Sequence, residues 1–474
     1  MQLDKDLCAR QEARSLCQQA EKAQNILKRM SQQQLDKICR NICQQFSAAA
    51  EKLAQMAVEE TGFGNIVDKT TKNRFASETV WKSIQEMRTV GILEENPQKK
   101  LWHIGVPVGV IGAIVPSTNP TSTICYKALI ALKAGNSIVF SPHPKALQCS
   151  LDAAKIVAQA AEAAGAPPGS ICCLGMASMA GTEELMQAKE VKLLLATGGP
   201  AMVHAAYSSG KPAIGVGAGN GPAYIHHTAD IDHALNCILR SKNFDYGTVC
   251  ASEQSIMIER SLETKIVSAA KGKGFYFMSA EEAAQLAVIL FRPSGALNPA
   301  VVGKPAITLA KLAGFSVPEN TKILVARENE AGPTRPYSME KLCPVLAFYV
   351  MDNEDAVLKK AIEVLSHEGI GHTFAMHCND RNTIEKFALQ IPVSRFLVNT
   401  PAALGGIGKT TNLSPALTLG CGAIGGSSSS NNISPLDLVN IRKVAWDLGE
   451  IAKNTAIDPS LVELLTAKIL ERLK

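Results

Sequence analysis

No stretch of this chain is apolar for long enough to cross a bilayer, and its first residues, MQLDKDLCARQEA, hold no apolar core of the kind a secretory leader needs. Charge of one sign is scarce as well. The 48 basic and 43 acidic side chains leave a net +5, too little over 474 residues to argue for nucleic acid or a membrane surface as partner. No CxxC pair occurs; the 13 cysteines are odd in number and scattered, which fits reduced thiols in a cytosol and predicts neither a disulfide framework nor a metal site. There is no internal repeat. The expectation is a cytoplasmic protein without nucleic-acid or membrane partners.

What is present is ordinary for a large enzyme. Hydrophobic residues make up 46% and charged residues 19%, and the length suits two or three domains. Residues 5 to 61 are rich in Gln, Ala, Glu and Lys and read as two helices, the second opened by a capping box of Ser31 and Gln34 and stopped by TGFG at 61–64. From about 104 short apolar runs alternate with helical segments. VGVIGAIV (108–115), SIVFS (137–141), SICCLG (170–175) and VKLLLAT (191–197) read as strands; 122–135 and 146–165 read as helices closed by Gly135 and Gly165. Alternation at these lengths predicts an α/β protein with parallel sheets covered by helices. Such sheets bind ligands at the carboxyl ends of their strands. Those ends here read PSTNPTS, SPHP and TGGP, all small or polar. A second α/β region starts near 225.

Two glycine-rich stretches imitate nucleotide motifs and fail. GVGAGNG (215–221) misses the GxGxxG spacing and leads into a strand-like run, AYIHH. ALGGIGKTT (403–411) has Ala403 where a phosphate-binding loop needs its first glycine. Cys250 stands out among the thiols. In FDYGTVCASEQS (244–255) it sits in a turn of small residues, uncrowded, where a backbone N–H could face a reacting oxygen. Most other cysteines fall on apolar faces and read as small buried hydrophobes.

The segments ATGGPAMVHAAYSSGKPAIGVGAGNGPAYI and SKNFDYGTVCASEQS resemble the CoA-acylating aldehyde dehydrogenases, both the N-terminal half of bifunctional aldehyde–alcohol dehydrogenases and the enzymes of bacterial microcompartments. The likeness continues through VPSTNPTSTICYKALIALKAGNSIVFSPHPKA, LAGFSVPENTKILVA, EKLCPVLAFY, GIGHT, NTPAALGGIG and LTLGCGAIGG, covering roughly residues 100 to 445 in order. It implies the aldehyde dehydrogenase fold: two parallel-sheet α/β domains plus a small β oligomerisation arm. The expected division is a cofactor domain over 1–224 with part of the arm near 95–105, a catalytic domain over 225–415, and a return to the cofactor domain and arm over 416–450.

The resemblance also implies roles. Cys250 is the nucleophile toward an aldehyde carbonyl. Asn119, with the Cys250 N–H, forms the oxyanion hole, although alone it also reads as a turn residue before Pro120. Val216 falls where hydrolytic relatives carry a glutamate base, so the acyl group should pass to a thiol, coenzyme A, rather than to water. His372 in GIGHT is a candidate acceptor of the CoA thiol proton, or a histidine satisfied in its turn. Glu340 matches the glutamate that bonds the nicotinamide ribose. Ile114, Val115, Pro116, Ser117, Thr118, Ser141, His143, Gly198, Gly199, Gly217 and Cys421 complete the expected cofactor contacts. NAD is the expected cofactor; His143 leaves NADP open. A homodimer or homotetramer is implied.

In the tail, Leu461, Leu464, Leu465, Ile469 and Leu473 share one face of a helix over 457–474, with Asp458 as its N-cap. That helix either docks on its own subunit or binds a partner, a microcompartment shell protein being the one implied. Three rival activities stay open: a hydrolytic dehydrogenase, a non-redox cysteine acyltransferase, and an idle scaffold.

Overall fold

The computed structural model describes residues 4–448 and 459–473. Three helices, Lys5–Leu27, Gln32–Ala48 and Ala50–Thr61, come first. The expected capping box at Ser31 and Gln34 is present. The expected single second helix is instead two, because the chain leaves helical geometry at Ala49 (φ −91°, ψ 1°), where no Gly or Pro signals the break.

Strands β1 (Gly91–Asn96) and β2 (Leu101–Pro107) form an antiparallel hairpin. Strands β3 (Val110–Val115), β4 (Ile138–Pro142), β5 (Ile171–Cys173), β6 (Val191–Thr197) and β7 (Ala213–Val216) make a parallel sheet in the order β5-β4-β3-β6-β7. Its central strands are buried along their whole length because helices cover both faces, which is why they read as continuous apolar runs. After β3 the chain adds β4 and β5 on one side, then returns to add β6 and β7 on the other. The switch in direction opens a crevice at the carboxyl ends of β3 and β6.

A four-residue link, 217–220, carries the chain into a second parallel sheet. Its strands are β8 (Gly221–Ile225), β9 (Glu253–Glu259), β10 (Phe275–Phe277), β11 (Ile323–Arg327), β12 (Val345–Met351), β13 (Gly371–His377) and β14 (Val393–Val398), in the order β10-β11-β12-β9-β8-β13-β14. Residue 224, the expected domain limit, therefore lies inside β8, and the passage between sheets is four residues earlier. Beyond β14 the chain returns to the first sheet: the Ser427 and Ser428 hydroxyls donate to the carbonyls of Gly215 (3.0 Å) and Ala213 (2.6 Å). Strand β15 (Val439–Ala445) then pairs antiparallel with β2, completing a three-stranded arm in which Trp102 and Trp446 meet edge to face at 4.8 Å.

The tail helix runs over Pro459–Arg472; Leu464, Leu465 and Ile469 are exposed on it, and Leu473 just beyond its end. Asp458 and the Leu461 side chain lie outside the described residues. No helix among the described residues is long and apolar enough to cross a membrane.

Candidate active site

Where the two sheets meet there is a cleft of about 250 Å³. One wall comes from the carboxyl ends of the first sheet: Pro116, Ser117, Thr118 and Asn119 after β3, His143 after β4, Thr197 to Pro200 after β6, and Val216 to Ala218 after β7. The other wall brings Thr248, Val249, Cys250, Glu340 and Leu342, with Ile407, Leu417 and Leu419 adding an apolar side. A larger groove of about 900 Å³ between helices Gln32–Ala48 and Leu147–Ala163 is lined by Lys, Arg, Gln and Ala and holds no nucleophile.

Cys250 is partly exposed at the cleft. Burial, and then the charges of Glu340 and Cys421, push its thiol up to about 12, while Arg395 and its own backbone N–H act in the opposite direction. It needs a proton acceptor to react near neutral pH. The turn before it is tightly built. Asp245 and Tyr246 hold left-handed backbone (φ 48° and 50°), and Asp245 is fully buried. Its Oδ2 accepts from Lys72 Nζ (2.5 Å), Lys69 Nζ (3.0 Å) and the Thr248 hydroxyl (2.6 Å). The lysines hold its carboxyl below the ordinary range against the opposing effect of burial.

This buried cluster reaches the oxyanion position. Lys72 Nζ also donates to Asn119 Oδ1 (2.6 Å) and to Thr248 Oγ1 (2.9 Å), so all three of its N–H bonds are used. An amide whose oxygen is taken by an ammonium must present its NH₂ elsewhere. Among the described residues, Asn119 Nδ2 reaches only Thr118 Oγ1 (3.1 Å) and, at 3.4 Å, the Thr248 carbonyl two residues before Cys250. Lys69 Nζ fixes the Thr118 carbonyl in the same way (2.9 Å). Sequence reading missed Lys69, Lys72 and Asp245. The available signal was two lysines one helical turn apart in DKTTKNRF, which otherwise pass for a solvated face; both are buried.

Gly219 lies against the nucleophile. A Cβ there would stand 1.9 Å from the Cys250 carbonyl oxygen and 3.2 Å from His372 Cε1, so only glycine fits. Its N–H donates to Glu340 Oε1 (2.9 Å), and the Glu340 N–H donates to Glu368 Oε2 (2.6 Å). Burial, then the neighbouring Glu368, raises the Glu340 carboxyl to about 8. By contrast, a Cβ on Gly199 or Gly217 would meet no atom within 4 Å, so packing within the chain does not explain either glycine. Gly199 is the N-cap of helix Pro200–Ser208, and Gly198, Gly199 and Pro200 line the crevice. Open glycines beside a helix N-terminus at the sheet's switch point fit a nucleotide pyrophosphate.

Several expected contacts do not reach the cleft wall. Ile114 and Val115 are buried in β3, and the Ile114 carbonyl accepts from the buried Lys127 (2.7 Å). Ser141 turns its hydroxyl to Thr182 (2.8 Å). Cys421 is buried, its thiol turned to the Leu419 carbonyl (3.7 Å). His372 is fully buried behind Gly219, with Nδ1 on the Thr373 hydroxyl (2.9 Å) and Nε2 without a partner; burial, then Arg395, lowers it to about 3. Pro116, Ser117, Thr118, Asn119, His143, Gly198, Gly199, Gly217, Cys250 and Glu340 do share the wall.

One group of described residues could hold a metal ion: His226, His227 and Glu259, whose donor atoms lie within 4.8 Å of one another. It sits at the carboxyl ends of β8 and β9, away from the cleft. Glu259 Oε1 already accepts from the Tyr224 hydroxyl (2.9 Å), and the neighbouring Glu354 is held by Lys386 (2.7 Å).

Residues 4–274 match the model of the aldehyde dehydrogenase family. The chain belongs to that family. Among its relatives, the bifunctional aldehyde-alcohol dehydrogenase AdhE of Escherichia coli is 44% identical over 92% of this chain and 49% of its own length. The chain thus spans about half the length of the curated relatives it matches first. An acetylating aldehyde dehydrogenase from Geobacillus thermoglucosidasius superposes with a TM-score of 0.92 at 47% identity, over 94% of this chain and 99% of that one. The propionaldehyde dehydrogenase of Rhodopseudomonas palustris, solved with bound CoA and an acylated cysteine, superposes with a TM-score of 0.83 at 30% identity, over 92% and 97%.

Proposed function

We propose that this member of the aldehyde dehydrogenase family is an NAD-dependent, CoA-acylating dehydrogenase of short-chain aldehydes. It converts aldehyde, CoA and NAD⁺ reversibly to acyl-CoA and NADH. The observation that carries this reading is the wall of the cleft: a thiol and an amide donor stand together, and the end of β7 contributes Val216, an apolar side chain, where a hydrolytic relative has its glutamate. Valine cannot activate water, so the acyl group leaves to a better nucleophile.

Cys250 attacks the aldehyde carbonyl and gives a thiohemiacetal. Its oxyanion lies between the Asn119 NH₂ and the Cys250 backbone N–H, a donor of this kind being worth about 3 kcal/mol in the transition state. Lys72 keeps the Asn119 amide turned the right way throughout. Gly198, Gly199, Gly217 and the N-terminus of helix Pro200–Ser208 would hold the pyrophosphate of NAD, and Glu340 the nicotinamide ribose. Bound there, NAD supplies the hydride acceptor that turns the thiohemiacetal into a thioester. CoA then takes the acyl group from Cys250. Leu342, Ile407, Leu417 and Leu419 give the acyl chain a short apolar surface. His143 is exposed and carries no acidic side chain to repel a 2′-phosphate, so NADP stays open as a second cofactor.

Two assembly readings belong to the same proposal. The arm β1-β2-β15 joins subunits into a dimer or tetramer, supported by exposed Ile441 and Trp446 on and beside its outer strand. The exposed leucines of helix Pro459–Arg472 dock on a shell protein, placing the enzyme inside a microcompartment. The test of the reaction is NADH formation from propionaldehyde and NAD⁺ with and without CoA. Turnover that requires CoA and disappears in Cys250→Ala supports it; sustained NADH formation without CoA overturns it.

A further inference from the structure

Transfer of the acyl group to CoA needs a base for the CoA thiol, and the cleft offers few. Of the side chains on its wall, only Lys72, His143, Cys250 and Glu340 titrate. Burial lowers Lys72 to about 8, but its three N–H bonds all go to Asp245, Thr248 and Asn119, which hold it as the ammonium. His143 follows β4, the strand lying beyond β3 as seen from β6, and its Nδ1 accepts from the Lys145 N–H (3.1 Å). Cys250 carries the acyl group. His372 is fully buried and does not line the cleft.

We infer that Glu340 is the proton acceptor for the CoA thiol, a role distinct from bonding a ribose. The inference rests on the acylating reading above. One carboxylate oxygen, Oε1, is anchored by the Gly219 N–H (2.9 Å); Oε2 makes no hydrogen bond to any described residue, and Glu340 lines the same cleft as Cys250. The anchor comes from the residue whose Cα packs against the Cys250 carbonyl, so carboxylate and nucleophile keep their relation through one glycine.

The step balances without a redox partner. Glu340 takes the CoA thiol proton; the CoA thiolate adds to the thioester carbon, and the oxyanion rests on Asn119 and the Cys250 N–H. The carbon–sulfur bond to Cys250 then breaks, and the departing thiolate recovers the proton from Glu340. The groups facing Glu340 suit this traffic. Burial and Glu368 hold its carboxyl at about 8, against Lys242, Lys341 and the Gly219 N–H, while Cys250 stands at about 12. An acceptor near 8 matches a thiol of about 8.5.

The test is exchange of unlabelled propionyl-CoA with isotopically labelled CoA, in the absence of NAD⁺ and NADH, so that ribose binding plays no part. Wild-type protein should exchange, with a rate rising through about pH 8 as Glu340 ionises. Glu340→Gln should lower the rate by about 100-fold and flatten the profile, with Glu340→Asp restoring part of it. A wild-type melting transition and far-UV circular dichroism spectrum show that the variant is folded. Exchange at the wild-type rate in Glu340→Gln overturns the inference and leaves Glu340 as a cofactor ligand only. Loss of exchange in His372→Gln with retention in Glu340→Gln overturns it in favour of the histidine. Failure of the wild-type protein to exchange contradicts the acylating reading itself.

Discussion

The two parallel sheets of this protein meet one cleft with opposite ends. The five-stranded sheet presents the carboxyl ends of β3, β4, β6 and β7, where parallel sheets ordinarily bind ligands. The seven-stranded sheet presents its amino ends: Cys250 precedes β9, Glu340 precedes β12, Gly219 precedes β8 and His372 opens β13. The cause is the short link 217–220. A chain leaving the carboxyl end of β7 and entering β8 four residues later must start its second sheet facing the end of its first. The difference teaches a division of labour. Carboxyl ends supply open glycines and helix N-termini, which suit a large anionic ligand. Amino ends supply a packed turn, which suits a nucleophile whose position cannot drift.

The sharpest way to break that division is at the donor that spans it. Asn119→Ala should lower kcat by about 100-fold, the value of one oxyanion donor. Lys72→Met should lower kcat comparably with little change in KM, because the amide loses the partner that orients it. It should also destabilise the protein by about 3 kcal/mol, since Asp245 loses one of two buried cations. A Lys72→Met variant with wild-type kcat would show that Asn119 needs no such support. Acid tests the same cluster. The Asp245 carboxyl is depressed in the folded protein, so its stabilisation is complete above the unfolded value of about 3.9 and is lost as pH falls through the folded value. Wild-type protein should therefore lose more stability than Asp245→Asn on going from pH 5 to pH 3, read by denaturant titration.

Glycines on the two walls should separate next. Gly219→Ala meets the Cys250 carbonyl at 1.9 Å and should cost about 1–3 kcal/mol of stability together with most of the activity. Gly199→Ala meets no atom of the protein, so it should leave thermal unfolding unchanged while weakening NAD affinity, about tenfold for 1.4 kcal/mol of lost contact. Equal effects from the two variants would end the distinction between the walls. Removal of 457–474 should have the smallest effect: unchanged kcat and unchanged melting, because Leu464, Leu465, Ile469 and Leu473 are exposed. Packaging with shell protein is the property it should abolish.

Much of the first sheet was legible because its strands are buried on both faces. Continuous apolar runs such as VKLLLAT mark β6 without ambiguity, and TGGP after it marks the ligand-facing end. Cys250 was legible through small neighbours and a shared motif. What was not legible depends on contacts distant in sequence. Lys72 lies 173 residues from Asp245 and 47 from Asn119, so no local pattern shows that it is buried between them. Ser141 looked equivalent to Ser117, yet one faces Thr182 and the other the cleft. The break at Ala49 has no Gly or Pro to mark it, and the limit between sheets falls at 217–220 because β8 begins at Gly221, two residues before the run AYIHH that reads as strand.

The central claim is that Cys250 carries an acyl group which CoA, not water, removes. Its most direct measurement is intact-protein and peptide mass spectrometry after mixing the protein with propionaldehyde and NAD⁺ alone. A single propionyl adduct should form on the Cys250 peptide, persist until CoA is added and then appear as propionyl-CoA. An adduct that decays to free propionate without CoA, or one that forms on another cysteine, would contradict it.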